Sequence, residues 1–181
     1  MTSPHTQQDR MDAAFDNYVA LTSLLRQDLV DLLDGESHSQ HWRRNFIRVS
    51  ASLIEGHVHC LREMCMVSFD CLAPSIHPKE AEALCSEGNF SANERLKFTL
   101  RAAHKLFELQ PAPNFGGLEW CCALRVLEKR HLLMHPKSSA DLHVMDDLWE
   151  DIFGGVSWVC EQLFGFVAAL EKKHIGPSRK G

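Results

Sequence analysis

A single tyrosine and a shortage of β-branched residues beside abundant Leu and Ala leave this chain little with which to build strands. The expected class is all-α. Cysteine occurs seven times but never as a C-x-x-C pair, the count is odd, and no basic-then-apolar segment opens the sequence. A disulfide-stapled secreted framework is therefore not expected, and reduced thiols in a cytoplasm are. Long uninterrupted apolar runs are missing as well. The longest, 152–170, carries Glu161 and Gln162 at its centre, which suits a core helix and no membrane span. Nor is there an excess of positive charge. A net charge of −5 excludes a protein that grips nucleic acid through a general basic field, so any such contact must be local. The sequence contains no internal repeat and no low-complexity block.

What is present suffices for one domain: 181 residues, 45% of them hydrophobic. Residues 1–8, polar and including Pro4, are expected to form a disordered tail, 9–174 a single helical domain, and 175–181 a mobile tail. Apolar residues at helical spacing from Asp9 to Asp34, among them Phe15, Tyr18, Leu25 and Leu29, predict a first helix stopped by Gly35. Ser37 or Ser39 can cap a second, which runs to about Leu72 and ends at Ala73-Pro74. Its buried stripe is Trp42, Phe46, Val49, Leu53, Cys60, Met64 and Val67. On another side His41, Arg44, Arg48, Ser52 and Glu55 recur every three or four residues. That file reads either as a solvated face with Arg–Glu pairing or as a place where Arg44 and Arg48 help hold a phosphate.

Pro78 and Lys79 open a short helical piece to about Cys85, broken by Ser86-Glu87-Gly88-Asn89. Ser91 with Glu94 three residues on has the form of a capping box for a helix reaching about Leu109. A loop with Pro111, Pro113, Gly116 and Gly117 leads into a helix that Pro136 must end. After a connector at Asp141–His143, Asp146 can cap a last helix to about Lys173, broken or bent near Gly154-Gly155. The architecture predicted is an up-and-down bundle of four to five helices with short connecting helices.

The segment Leu127-Glu128-Lys129-Arg130-His131-Leu132-Leu133-Met134-His135-Pro136 departs from the pattern, because it puts ionisable groups where a helix should bury hydrocarbon. Projected at about 100° per residue, Arg125, Glu128 and Lys129 form a water-loving side. Arg130 falls in the middle of the apolar side, between Ala123, Val126, Leu133 and Met134, with His131 and His135 near its border. A guanidinium placed there must be paired or used, since burying it alone costs several kcal/mol.

His131 and His135 are four residues apart, so their rings lie one turn apart on one side. Arg130 points roughly 140° away from His135. One copy of the helix converges them only with strain, whereas two antiparallel copies about a twofold axis bring one Arg130 near the partner's His131 and His135. Such a set permits phosphodiester cleavage without metal or other cofactor. Imidazoles move protons near neutral pH and Arg braces the extra charge on phosphorus. His135 sits in the last turn, where the helix's partial negative charge favours a cation, which suits the acid role. Three other readings stay open. The i, i+4 His pair is a zinc half-site, though no carboxylate or Cys stands at motif spacing to complete it. Cys121 or Cys122 is a candidate nucleophile with no supporting neighbours. The third is a core Arg with two satisfied histidines.

Arg130-His131-Leu-Leu-Met-His135-Pro136 resembles the R-x4-6-H signature of the HEPN superfamily, in which a polar residue follows the Arg; here it is His131. Arg43-Arg44-Asn-Phe-Ile-Arg48 and Ala51-Ser-Leu-Ile-Glu55-Gly56 look like the second-helix region of bacterial members. The resemblance implies a helical bundle and a metal-independent endoribonuclease acting as a homodimer on RNA, often in toxin–antitoxin, defence or RNA-processing settings with an antitoxin or regulator as partner. It further implies Arg130 and His135 as catalytic residues and His131 as a polar assistant. The family also includes non-cleaving members that serve as RNA-binding or protein-interaction modules, and that alternative stands beside the enzymatic one.

Overall fold

The computed structural model describes residues 4–35, 39–72, 76–86 and 90–174. Residues 1–3, Ser37, the Ala73-Pro74 stop, positions 87–89 of the break after Cys85 and the tail 175–181 lie outside them. The described residues form six helices and no strand: α1 (Pro4–Asp34), α2 (Gln40–Leu72), α3 (Pro78–Cys85), α4 (Ala92–Leu106), α5 (Leu118–Met134) and α6 (Asp146–His174), with a 3-10 turn at Ser139–Leu142 between the last two. The fold is all-α.

Helix starts follow local chemistry. Ser39 Oγ accepts from the Trp42 amide at 3.3 Å, placing the cap of α2 on the second of the two candidate serines. At α4 the Ser91 hydroxyl accepts from the Glu94 amide while the Glu94 carboxylate accepts from the Ser91 amide, the reciprocal pair that satisfies two orphan donors. Pro78 opens α3, and His77 plays the capping role through Nδ1. Three boundaries differ from expectation. α1 begins at Pro4, inside the segment read as a tail; Gln7 Nε2 donates to the Val67 carbonyl and Met11 is buried, so α2 holds this first turn down. α4 stops at Leu106, because Glu108 adopts a left-handed φ of 54° and the Leu109 amide turns back onto the His104 carbonyl. α6 runs unbroken through Gly154-Gly155. There the glycine serves close approach: a Cβ on Gly155 would stand 2.4 Å from the Cys122 carbonyl carbon, so α5 and α6 touch backbone to backbone.

α2 lies at the centre and packs against every other helix. It is antiparallel to α1, since the pairs Gln7–Val67, Tyr18–His57 and Leu32–Trp42 run in opposite order along the two chains. α5 and α6 form a second antiparallel hairpin, joined at Cys122–Gly155 and by the Arg125–Asp151 ion pair. Phe46 and Trp42 of α2 meet Trp149 of α6 edge to face at 5.0 and 5.4 Å, joining the two hairpins through ring packing. The predicted stripe of α2 is buried, apart from a half-buried Val49. Inside the α1–α2 pair the Tyr18 hydroxyl and His57 Nδ1 stand 2.8 Å apart. Burial raises the tyrosine pKa and lowers that of His57 to about 4, so both are neutral.

Candidate functional site

α5 carries its apolar positions along an arc that the fold covers from two sides, α6 on one and α2 on the other. Trp120, Cys122, Ala123, Val126, Leu127 and Leu133 are buried. The same arc extends one position further than the projection indicates, and Lys129, expected on the water-loving side, is 6% exposed. Its ammonium donates to the carbonyls of Asp141 at 2.8 Å and His143 at 2.7 Å. The chain after α5 folds back over it, so the lysine plugs the connector. Desolvation lowers its pKa, and the nearby Asp141 carboxylate partly opposes that. Asp141 is itself held ionised by amide donors from Lys137 and Ser138.

Arg130 departs from expectation in the opposite sense. Its side chain is one-third exposed, because the arc is open at this level. Between α2, α4 and α5 lies a cleft of about 580 Å³, lined in part by Glu55, Ile54, Arg62 and Leu127. Arg130 Nη2 meets Glu55 Oε2 at 3.1 Å, so the guanidinium is paired across to the polar file of α2. Met134, expected inside, is exposed at the helix end.

His131 and His135 are both exposed, with ring centres 5.2 Å apart. His135 ends the helix, its amide donating to the His131 carbonyl at 3.1 Å. The predicted neighbours from α2 also reach this end of the molecule. Arg48 Nη2 donates to the Leu133 carbonyl at 3.5 Å, and Arg44 Nη1 to the Leu142 carbonyl at 3.2 Å. Arg48 therefore lies beside the last turn of α5 and Arg44 beside the 3-10 turn that follows it, each bonded to a neutral carbonyl that leaves its charge in place. Arg48 is thus brought to the turn that precedes His135, Arg44 to the connector after it, and Arg130 meets Glu55 at the wall of the cleft.

Several positioning residues were not legible in the sequence. The Gln40 side chain both accepts from the Val144 amide and donates to the Val144 carbonyl, each at 2.8 Å. Arg43 donates to the same carbonyl, pairs with Asp146 at 2.6 Å and lies over the Trp149 ring. With Lys129 beneath, the second half of the connector from α5 to α6 is held by α2 at Leu142 and Val144. These contacts span about a hundred residues and have no local signal.

Among the described residues no group of three or more His, Cys, Asp and Glu side chains is placed to hold a metal ion. The Cys122 thiol is buried on Asp151, 3.5 Å from Oδ1, and Cys121 is exposed. No helix among the described residues is long and apolar enough to cross a membrane. No family model, curated protein or solved structure matches the chain.

Proposed function

We propose that the chain is a HEPN-type, metal-independent endoribonuclease acting as a homodimer, with Arg130 and His135 as catalytic residues and His131 assisting. The observation that carries this reading is the exposed imidazole pair at the end of α5, next to an Arg130 engaged by a half-exposed carboxylate. Such a surface ion pair is worth at most about 1 kcal/mol, so a phosphodiester offering charge-assisted bonds can displace Glu55. Exposed Leu132 and Met134 alternate with the histidines along the end of α5 and provide apolar area for a second copy. In that dimer one imidazole removes the ribose 2′-hydroxyl proton as the 2′-oxygen attacks phosphorus. The 5′-oxygen leaves with a proton from an imidazolium, and Arg130 neutralises charge on the pentacoordinate phosphorus. The products are a 2′,3′-cyclic phosphate and a 5′-hydroxyl. Arg44 and Arg48 add positive potential beside the reacting group. A cytoplasmic role in RNA processing, defence or toxicity, with an antitoxin or regulator as partner, belongs to the same reading.

The Arg130–Glu55 pair closed within one chain favours a second reading, a catalytically silent helical module that binds RNA or protein. Incubation of the purified chain with mixed RNA in EDTA separates the two. The nuclease reading expects cyclic-phosphate ends, with cutting reduced about a hundredfold or more in Arg130→Ala and His135→Ala. Cutting that is absent, or equal in all three proteins, leaves the silent module. Light scattering should give twice the chain mass, and a strict monomer removes the shared site.

A further inference from the structure

A second surface, separate from the end of α5, carries its own charge pattern. Lys97, Arg101 and Lys105 follow one another at four-residue intervals on α4, so about 6 Å of helix rise separates each from the next. Lys79 of α3 joins them around a recess of about 510 Å³ that Phe98 and His77 also line. The carboxylate in this recess is Glu80, which is buried and taken up by Lys105 at 2.7 and 2.9 Å. The Glu94 carboxyl has its pKa lowered chiefly by Ser91, whose hydroxyl and amide both donate to Oε2, and in smaller part by Lys79. Arg101 and Lys105 are shared with a second recess of about 570 Å³, which ends at Glu108 and includes Phe115. In a chain of net charge −5 this is a local reversal of sign.

The aromatic residues are placed with the cations. The Arg101 guanidinium and the Lys97 ammonium lie 5.4 and 5.7 Å from the centre of the Phe115 ring. That ring is anchored edge to face on Trp120 at 5.0 Å. Phe98 is likewise half-buried and braced by Phe90.

We propose that this α3–α4 face binds single-stranded nucleic acid. Lys79, Lys97 and Arg101 take successive phosphates of the backbone, and the Phe115 ring takes a base. Binding is an exchange: a cation leaves the ring for a phosphate, and the ring face it vacates receives the base. Two cations set against one recessed ring match a strand that presents phosphates on either side of a base. Half-buried rings offer nothing to insert into a lipid surface, and an acidic peptide would use the cations but not the ring.

The surface shares no residue with the end of α5, so its test uses the full chain carrying His135→Ala, in which the nuclease reading predicts cutting reduced about a hundredfold or more. Anisotropy of a fluorescein-labelled oligouridylate is followed as salt is raised. The expected result is salt-dependent binding whose log–log slope falls by about 1.4 in Lys97→Gln/Arg101→Gln, about 0.7 for each phosphate contact removed. Phe115→Leu is expected to weaken binding roughly tenfold with the slope unchanged. Absence of binding overturns the proposal, as does a double variant equal to its parent in affinity and slope. Polyglutamate bound as tightly as the oligouridylate, with Phe115→Leu indifferent, assigns the face to acidic proteins and also overturns it.

Discussion

Lys129 and Arg130 are consecutive cations on one helix, and the fold treats them oppositely. Lys129 lies on the edge of the arc that the projection leaves wet, yet it is covered by the returning connector and bonded to two backbone carbonyls. Arg130 points to the centre of the apolar arc, yet it is one-third exposed and meets the half-exposed carboxylate of Glu55 at the wall of the cleft. The inner junction is made of groups that have no other partner once buried, and the outer one of groups that water can serve equally well. Burial and partner, more than position on the helical projection, decide which cation is structural and which is available.

That contrast can be broken most strongly at the inner junction. Lys129→Met keeps the apolar stem and removes the donors, leaving the Asp141 and His143 carbonyls unanswered. Denaturant unfolding should show a loss of about 3 kcal/mol, and a loss below about 1 kcal/mol would mean that water reaches those carbonyls.

The pH profile gives an effect of similar size in the α1–α2 pair. His57 has its pKa lowered by burial to about 4 from an ordinary 6.5, so between those values the unfolded chain binds the proton that the folded chain refuses. Stability is therefore fully present above about pH 6.5, falls as pH drops toward 4 by up to about 3 kcal/mol, and levels off below. In His57→Gln this part of the profile should become markedly shallower, keeping the slope that His104 contributes because burial lowers its pKa as well, and unfolding curves across that range would register the change.

Gly155→Ala tests the helix contact on the other side of α5. The added methyl meets the Cys122 backbone, which cannot rotate away, so about 1–3 kcal/mol should be lost. A neutral result would show that α6 shifts freely along α5.

At the outer junction the expected effect is smallest. A double-mutant cycle between Arg130→Ala and Glu55→Ala should return a coupling of about 1 kcal/mol or less, weakening with added salt. A coupling as large as the loss at Lys129 would erase the distinction drawn here and make Arg130 a structural residue.

Much of the fold was legible because its signals are local. Ser91-x-x-Glu94, Pro78, Ser39 and the α2 stripe act within a few residues, and the structure uses each as read. The break expected at the glycine pair in α6 is absent, because a glycine that interrupts a helix and one that permits close contact look identical until the opposing helix is known. Lys129 was misread for a related reason: a projection shows which residues share a side but not what returns to cover its edge. At the candidate site the sequence picked out Arg130, His131, His135, Arg44 and Arg48, and the α2 file meets the last turn of α5 through Arg48 and the following 3-10 turn through Arg44. It did not give the Arg130–Glu55 pairing, which joins residues 75 positions apart, nor the two-recess face of α4, where Lys97 and Arg101 acquire their meaning from Phe115 as the loop after α4 folds back beside them.

Gln40 presents to Val144 the same donor and acceptor that another peptide group would, so a side chain completes a backbone rung between two segments with no strand in either. The loop that follows the histidines is thereby spliced to the first turn of α2, and the two hairpins cannot slide past each other without undoing that rung. A change at position 40 should accordingly be felt at position 135, as a loss of registration in a pair of imidazoles it never touches.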